Sequence, residues 1–183
     1  MEPYSAPDFP LSVTFVLGGA RSGKTGYALK AAQARASETG GRLVMIATAE
    51  ALDAEMAERI ARHRAERGAA WTTLEAPRAL AETILALAPR DVCVVDCLTL
   101  WLSNLMLDEA VIEPQVQALV AALAASPADD LILISNEVGQ GIVPDNALAR
   151  RFRDECGWMH QAVAACADRV VVVQAGLANI LKS

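Results

Sequence analysis

The chain lacks any excess of basic residues. Its 183 residues carry 16 Lys and Arg against 22 Asp and Glu, a formal net charge of −6. A protein that coats a polyanion normally presents a cationic surface, so a nucleic-acid-binding role is disfavoured. Any anion the chain handles must be held by a local site. Long apolar runs are also missing: stretches such as Val170–Val173 and Ala118–Ala125 fall far short of the roughly 20 residues that span a bilayer. The opening MEPYSAPDFP has neither a basic start nor an apolar stretch and does not read as a secretory signal. Residues 1–11 are expected to form a flexible extension. Four cysteines (Cys93, Cys97, Cys156, Cys166) make no C-x-x-C pair and are too few for a disulfide scaffold. Cys93 and Cys97 flank one apolar strand and read as small core residues, and no zinc-ligand spacing is found. A cytoplasmic protein is expected.

What the chain does have is core-forming material. Hydrophobic residues make up 54% of it, which excludes a disordered chain. Apolar runs of strand length alternate with alanine-rich helical stretches. Strands are expected at Ser12–Leu17, Arg42–Ala47, Val92–Val95, Asp130–Ser135 and, as the last, Arg169–Gln174, with a short extended piece at Trp71–Glu75. Helices are expected at Lys24–Ser37, Asp53–Glu66, Arg78–Leu87, Glu113–Ala125 and Asn146–Ala167. Continuously apolar strands alternating with helices predict a mostly parallel sheet covered on both faces. Nothing splits the chain, so one α/β domain over residues 12–183 is expected.

Between the first strand and first helix, Gly18-Gly19-Ala20-Arg21-Ser22-Gly23-Lys24-Thr25 satisfies G-x-x-x-x-G-K-[ST] in full. Glycines let the backbone wrap an anion with successive N–H groups, and the helix start adds a favourable dipole. Lys24 would reach the β- and γ-phosphates, and the Thr25 hydroxyl would hold Mg²⁺. Lys24 is expected at an exposed loop–helix junction. A magnesium-side carboxylate is needed on a neighbouring strand, and Asp96, ending Val92–Val95, is the candidate. Asp96 could also cap the helical segment beginning at Leu98. Glu137, after Asn136, falls at the same carboxyl edge, where open α/β sheets bind ligands.

Only two histidines occur. Met56, Ile60, His63 and Arg67 share one helical face, which alone would suit a histidine at the edge of the core. Its company is Arg59, Arg62, Arg64 and Arg67, a poor core but a good phosphate pocket. Such neighbours disfavour imidazolium and leave a nitrogen able to attack phosphorus. His160, beside Trp158 and Met159, reads as a packed and hydrogen-bonded side chain.

Together these motifs resemble the bifunctional adenosylcobinamide kinase/adenosylcobinamide-phosphate guanylyltransferases of cobalamin synthesis. The blocks are LGGARSGKT (Leu17–Thr25), IATAEALDAEMAERIARHRAER (Ile46–Arg67) followed by WTTLE, VVDCLTLWLSNL (Val94–Leu105), and ISNEVGQGIVPDNALARRFRDECG (Ile134–Gly157), with His160-Gln161 at an Asn-Gln-like position. The resemblance implies a RecA-like P-loop fold, ATP or GTP and Mg²⁺, adenosylcobinamide and its phosphate as substrates, and a homo-oligomer, trimeric in some relatives. It implies a covalent GMP adduct on His63. It also implies GTP contacts at Gly18, Gly19, Ala20, Arg21, Ser22, Gly23, Lys24, Thr25, Ala47, Thr48, Ala49, Arg64, Ala65, Glu66, Arg67, Glu75 and Asp96, with Thr25 and Asp96 toward the metal. For the kinase step Asp96 or Glu137 could orient the hydroxyl. Two other readings stay open on the residues alone: a small-metabolite P-loop kinase without a covalent step, and a nucleotide-dependent switch or binding protein.

Overall fold

The computed structural model describes residues 12–50, 58 and 69–183. In chain order the elements are β1 (Ser12–Gly18), α1 (Lys24–Thr39), β2 (Arg42–Ala47), β3 (Thr72–Glu75), α2 (Leu80–Leu85), β4 (Asp91–Asp96), α3 (Leu98–Leu107), α4 (Ile112–Ala125), β5 (Asp130–Asn136), α5 (Ala147–Cys166), β6 (Arg169–Gln174) and β7 (Leu177–Lys182). The seven strands form one sheet in the order β3-β2-β4-β5-β1-β6-β7, every pairing parallel except β6 with β7. The fold is the expected α/β arrangement of RecA-like P-loop proteins. Of the expected helix at Asp53–Glu66 only Glu58 is described, and it is helical; the rest of that helix and the extension 1–11 lie outside the described residues.

The middles of β4 and β5, Val92–Val95 and Leu131–Ile134, are apolar at every position because both sheet faces are covered, and successive side chains point to opposite faces. Cys93, Val95, Leu131 and Leu133 face α2, α3, α4 and α5, meeting Leu80, Trp101, Leu102, Leu119 and Met159. Val92, Val94, Ile132 and Ile134 face the other way, toward α1. Burying an aliphatic side chain in these layers stabilises by about 1.5–3 kcal/mol. On α1 the buried stripe is Ala28, Ala32 and Ala36. Small residues at a four-residue spacing let this helix lie close on the sheet, which fixes the loop that precedes it.

Three expectations are corrected. The helix expected at Arg78–Leu87 spans only Leu80–Leu85. The Arg78 carbonyl accepts from Trp101 Nε1 (2.8 Å) and from the Leu80 amide (2.8 Å), and the Ala88 amide is drawn to Asp91 (2.9 Å), so both flanks are committed elsewhere. Arg169–Gln174 is not the last strand: β7 follows through a tight turn with Ala175 (φ 52°) and Gly176 (φ 79°) both left-handed, as a two-residue hairpin requires. Asp96 does not cap α3, whose N-cap is Cys97.

Candidate active site

The phosphate loop runs from the end of β1 into α1. A Cβ on Gly18 would stand 2.5 Å from both Ser22 Oγ and the Val173 carbonyl oxygen, so only glycine lets the chain turn there. Gly23 is left-handed at φ 98°, a conformation glycine adopts without steric cost. The Gly18 carbonyl accepts from the Glu137 amide (3.0 Å), Gly19 from Ser22 (3.3 Å) and Ser22 from Gly176 (2.9 Å). These carbonyls are thereby turned into the protein. No side chain caps α1 and its first turn carries no acid, which leaves the positive end of the helix dipole for an anion. Ser22 Oγ is buried without a hydrogen-bond partner, an orphaned donor inside the loop. Lys24 is buried, 8% exposed, which corrects the exposed junction expected of it. Its ammonium folds back to the Gly19 carbonyl at 3.0 Å.

Across the sheet, register brings three sequence-predicted residues into one row. Ala47 pairs with Glu75 on β3 and with Asp96 on β4, and Asp96 pairs with Ile134 on β5. β5 alone separates β4 from β1, so Asp96 stands two strand spacings, about 10 Å, from the phosphate-loop strand. The Thr25 hydroxyl and the Asp96 carboxylate offer hard oxygen donors. That thin set suits Mg²⁺, which keeps several waters and rides on substrate phosphates. Among the described residues no cluster of three or more His, Cys, Asp and Glu could hold a metal by itself.

Buried polar side chains lock this edge. Thr48 is fully buried. Its hydroxyl donates to the Cys97 carbonyl (2.8 Å) and accepts from the Cys97 amide (2.8 Å), while its own amide donates to the Asp96 carbonyl (3.2 Å). Asn104 Nδ2 then donates to the carbonyls of Thr48 (2.8 Å) and Pro77 (2.9 Å). Asn136 Nδ2 donates to Thr99 Oγ1 (2.7 Å), tying the end of β5 to the start of α3. Sequence reasoning missed Asn104, although an amide inside LTLWLSNLML is a buried-polar signal. The Thr99–Asn136 tie carried no such signal.

Electrostatics separates this edge from the histidine and thiols behind it. Burial, reinforced by the Asp96 carboxylate, pushes the Cys97 thiol up, and burial with Glu137 pushes Cys156 up to about 12. Both stay protonated and inert. Burial pulls His160 down and keeps it neutral, 2.8 Å from Ser135 Oγ and 3.3 Å from Cys156 Sγ, tilted against Phe15. It is the packed, hydrogen-bonded histidine expected. Glu137 stands at the edge with Oε1 accepting from the Gly139 amide at 2.6 Å. The structure thus brings together Gly18 through Thr25, and separately Ala47, Thr48, Glu75 and Asp96 with Ala49 just beyond. His63, Arg64, Ala65, Glu66 and Arg67 lie outside the described residues.

A glycine-built anion cradle with a carboxylate two strands away can hold a nucleoside polyphosphate by its phosphates, which puts the chain among the P-loop nucleotide-using proteins. Of solved structures, the flagellar accessory protein FlaH from Methanocaldococcus jannaschii is similar in fold alone, with a TM-score of 0.50 at 12% identity over 93% of this chain and 78% of that one. A family model described as cobinamide kinase / cobinamide phosphate guanyltransferase matches residues 14–181. The bifunctional adenosylcobalamin biosynthesis protein CobP of Pseudomonas aeruginosa is 48% identical over 170 residues, 91% of this chain and 95% of that one. Proteins called CobU, with the same description, are 40% identical in Salmonella typhimurium and 38% in Escherichia coli, each over 91% of this chain and 98% of theirs. The chain belongs to the cobinamide kinase / cobinamide phosphate guanyltransferase family: it is a bifunctional transferase that uses nucleotides. Among the described residues no helix is long and apolar enough to cross a membrane.

Proposed function

We propose that this chain serves adenosylcobalamin biosynthesis by phosphorylating adenosylcobinamide and then transferring GMP from GTP to the product through a covalent GMP adduct on His63. The observation that carries the proposal is the cradle: the buried, partnerless Ser22 hydroxyl and the glycine-only turn at Gly18 are what a polyphosphate would complete. The phosphates would take the N–H groups of Gly19 through Thr25, and Lys24 would leave the Gly19 carbonyl for phosphate oxygens. Mg²⁺ on the Thr25 hydroxyl and Asp96 carboxylate would neutralise charge on the departing phosphates.

In the kinase step Asp96 or Glu137 orients the alcohol of adenosylcobinamide toward the γ-phosphorus of ATP or GTP. In the second step a neutral His63 nitrogen attacks the α-phosphorus of GTP, a P–N bond forms, and the bond to pyrophosphate breaks. A phosphate oxygen of adenosylcobinamide phosphate then attacks the same phosphorus, and the P–N bond returns its electrons to the imidazole. Arg64 and Arg67 stabilise the equatorial oxygens, while Ala47, Ala49, Ala65, Glu66 and Glu75 line the nucleotide. Thr48 contributes by holding the turn that carries Asp96. The work is done by one domain, residues 12–183, in a cytoplasmic homo-oligomer, whose subunit number sedimentation would measure.

The test is incubation with GTP labelled at the α-phosphate in the presence of Mg²⁺. Acid-labile, alkali-stable label should appear on the protein, chase into product on adding adenosylcobinamide phosphate, and vanish in His63→Ala. An unlabelled wild type, or a variant that labels equally, leaves a P-loop kinase without a covalent step.

A further inference from the structure

We infer that the segment after β5 together with the first residues of α5, residues 138–148, is the surface on which the corrin macrocycle lies while its side-arm alcohol, and later its phosphate, is presented to the nucleotide. The inference rests on the cobinamide substrate proposed above and adds the place where its bulk is held.

The first ground is position. The Glu137 amide donates to the Gly18 carbonyl at 3.0 Å, so this segment leaves the sheet from the lip of the phosphate loop. A macrocycle cannot enter a cleft that wraps a triphosphate. It must rest outside, within reach of its own side arm.

The second ground is composition. Val138 (37% exposed), Ile142 (98%), Val143 (59%) and Leu148 (53%) all face solvent on this one segment, although apolar surface is normally removed from water. Leu177, 73% exposed, follows the β6–β7 turn whose Gly176 amide holds the Ser22 carbonyl, so an exposed apolar side chain also stands near the other flank of the phosphate loop. Asp145 is the sole charged residue among positions 138–148. A corrin is rimmed by methyl groups and neutral carboxamides. Aliphatic side chains match the methyls, and Gln140 with exposed backbone matches the amides.

The third ground is that the segment is held at both ends. The Gly139 amide donates to Glu137 Oε1 (2.6 Å), and Arg150 Nη1 donates to the carbonyls of Pro144 (2.9 Å) and Asp145 (2.6 Å). Asn146 Oδ1 caps α5, accepting from Leu148 and Ala149. An apolar platform already ordered loses little freedom on binding a rigid ring.

The test is the double variant Ile142→Ser with Val143→Ser, beside a swapped control, Ile142→Val with Val143→Ile. Cobinamide phosphorylation is followed at saturating nucleotide, with nucleotide KM and sedimentation measured on the same proteins. The serine variant should raise the KM for cobinamide by about tenfold or more, the factor that roughly 1.4 kcal/mol of lost apolar contact corresponds to. Its nucleotide KM and sedimenting mass should stay unchanged, and the swapped control should match wild type. An unchanged cobinamide KM overturns the inference. So does a changed mass with an unchanged KM, which would make the segment a contact between copies of the chain. A wild type unable to phosphorylate cobinamide would instead remove the proposed function on which the inference rests.

Discussion

Thr48→Val removes one hydroxyl and keeps the side-chain volume. In the native protein that hydroxyl satisfies both the amide and the carbonyl of Cys97, each at 2.8 Å, and Thr48 has no exposed surface for water to enter. The variant leaves the buried Cys97 amide unpaired, at a cost of about 1–3 kcal/mol, while the Cys97 carbonyl keeps the Trp101 amide (3.2 Å). A loss near 2 kcal/mol in a chain of this length lowers Tm by about 4–8 °C. Thr48→Ser keeps the hydroxyl and loses one methyl, about 1 kcal/mol. Because Cys97 follows Asp96, Thr48→Val should also lower kcat for phosphorylation more than it raises nucleotide KM. Thermal unfolding and steady-state kinetics on the three proteins provide the readout. If Thr48→Val keeps the wild-type Tm while raising nucleotide KM, the hydroxyl serves the nucleotide and not the turn. If serine and valine destabilise equally, the missing hydrogen bonds are not the cause.

Gly18→Ala puts a methyl 2.5 Å from a backbone carbonyl that cannot yield. It should cost about 1–3 kcal/mol of stability and weaken nucleotide binding in calorimetry, whereas Gly26→Ala meets nothing within 4 Å and should be neutral or mildly stabilising. Identical behaviour of the two would refute the glycine-only turn. Asp91 accepts from Arg42 Nε (2.8 Å), Arg42 Nη2 (2.8 Å) and the Ala88 amide (2.9 Å). Burial pushes this carboxyl up, but those partners outweigh it and hold it below its ordinary range. A depressed carboxyl contributes stability that is full above its unfolded pKa and lost as pH falls through its folded value. Asp91→Asn should therefore cost about 1–2 kcal/mol at pH 7, trimmed because Arg42 is largely exposed. In urea titrations the gap to wild type should close below about pH 4, near the unfolded value. A gap of the same size at pH 7 and at acid pH would contradict the assignment.

The parts of the fold written in apolar pattern were legible in the sequence. Val92–Val95 and Leu131–Ile134, inside the expected strand Asp130–Ser135, announce buried parallel strands because every position is apolar, and the glycines with Lys24 announce the loop. Strand β7 was not, because all six of its residues are exposed and pattern reading depends on burial. Its Ala175-Gly176 turn also lacks the Asn-Gly signature that advertises a hairpin. The helix at Leu80 was read too long because propensity cannot see that Trp101 and Asp91 claim the flanking backbone groups. The burial of Lys24 depends on its Gly19 bond, which no local pattern encodes. At the site, motif residues could be named from spacing, but their alignment could not. That Glu75, Ala47 and Asp96 share a row follows from strand order and register. The ties through Thr48, Asn104 and Asn136 join residues 27–56 positions apart.

The central claim is that one phosphate loop serves both reactions. The direct measurement is to assay Lys24→Ala in each half separately, cobinamide with ATP or GTP and cobinamide phosphate with GTP, alongside its thermal unfolding. Loss of a charge-stabilising side chain of this kind costs about a hundredfold or more in rate. We expect both half-reactions to fall by that order while a cooperative transition is retained. A variant that folds and loses phosphorylation but transfers GMP at the wild-type rate would contradict a shared site.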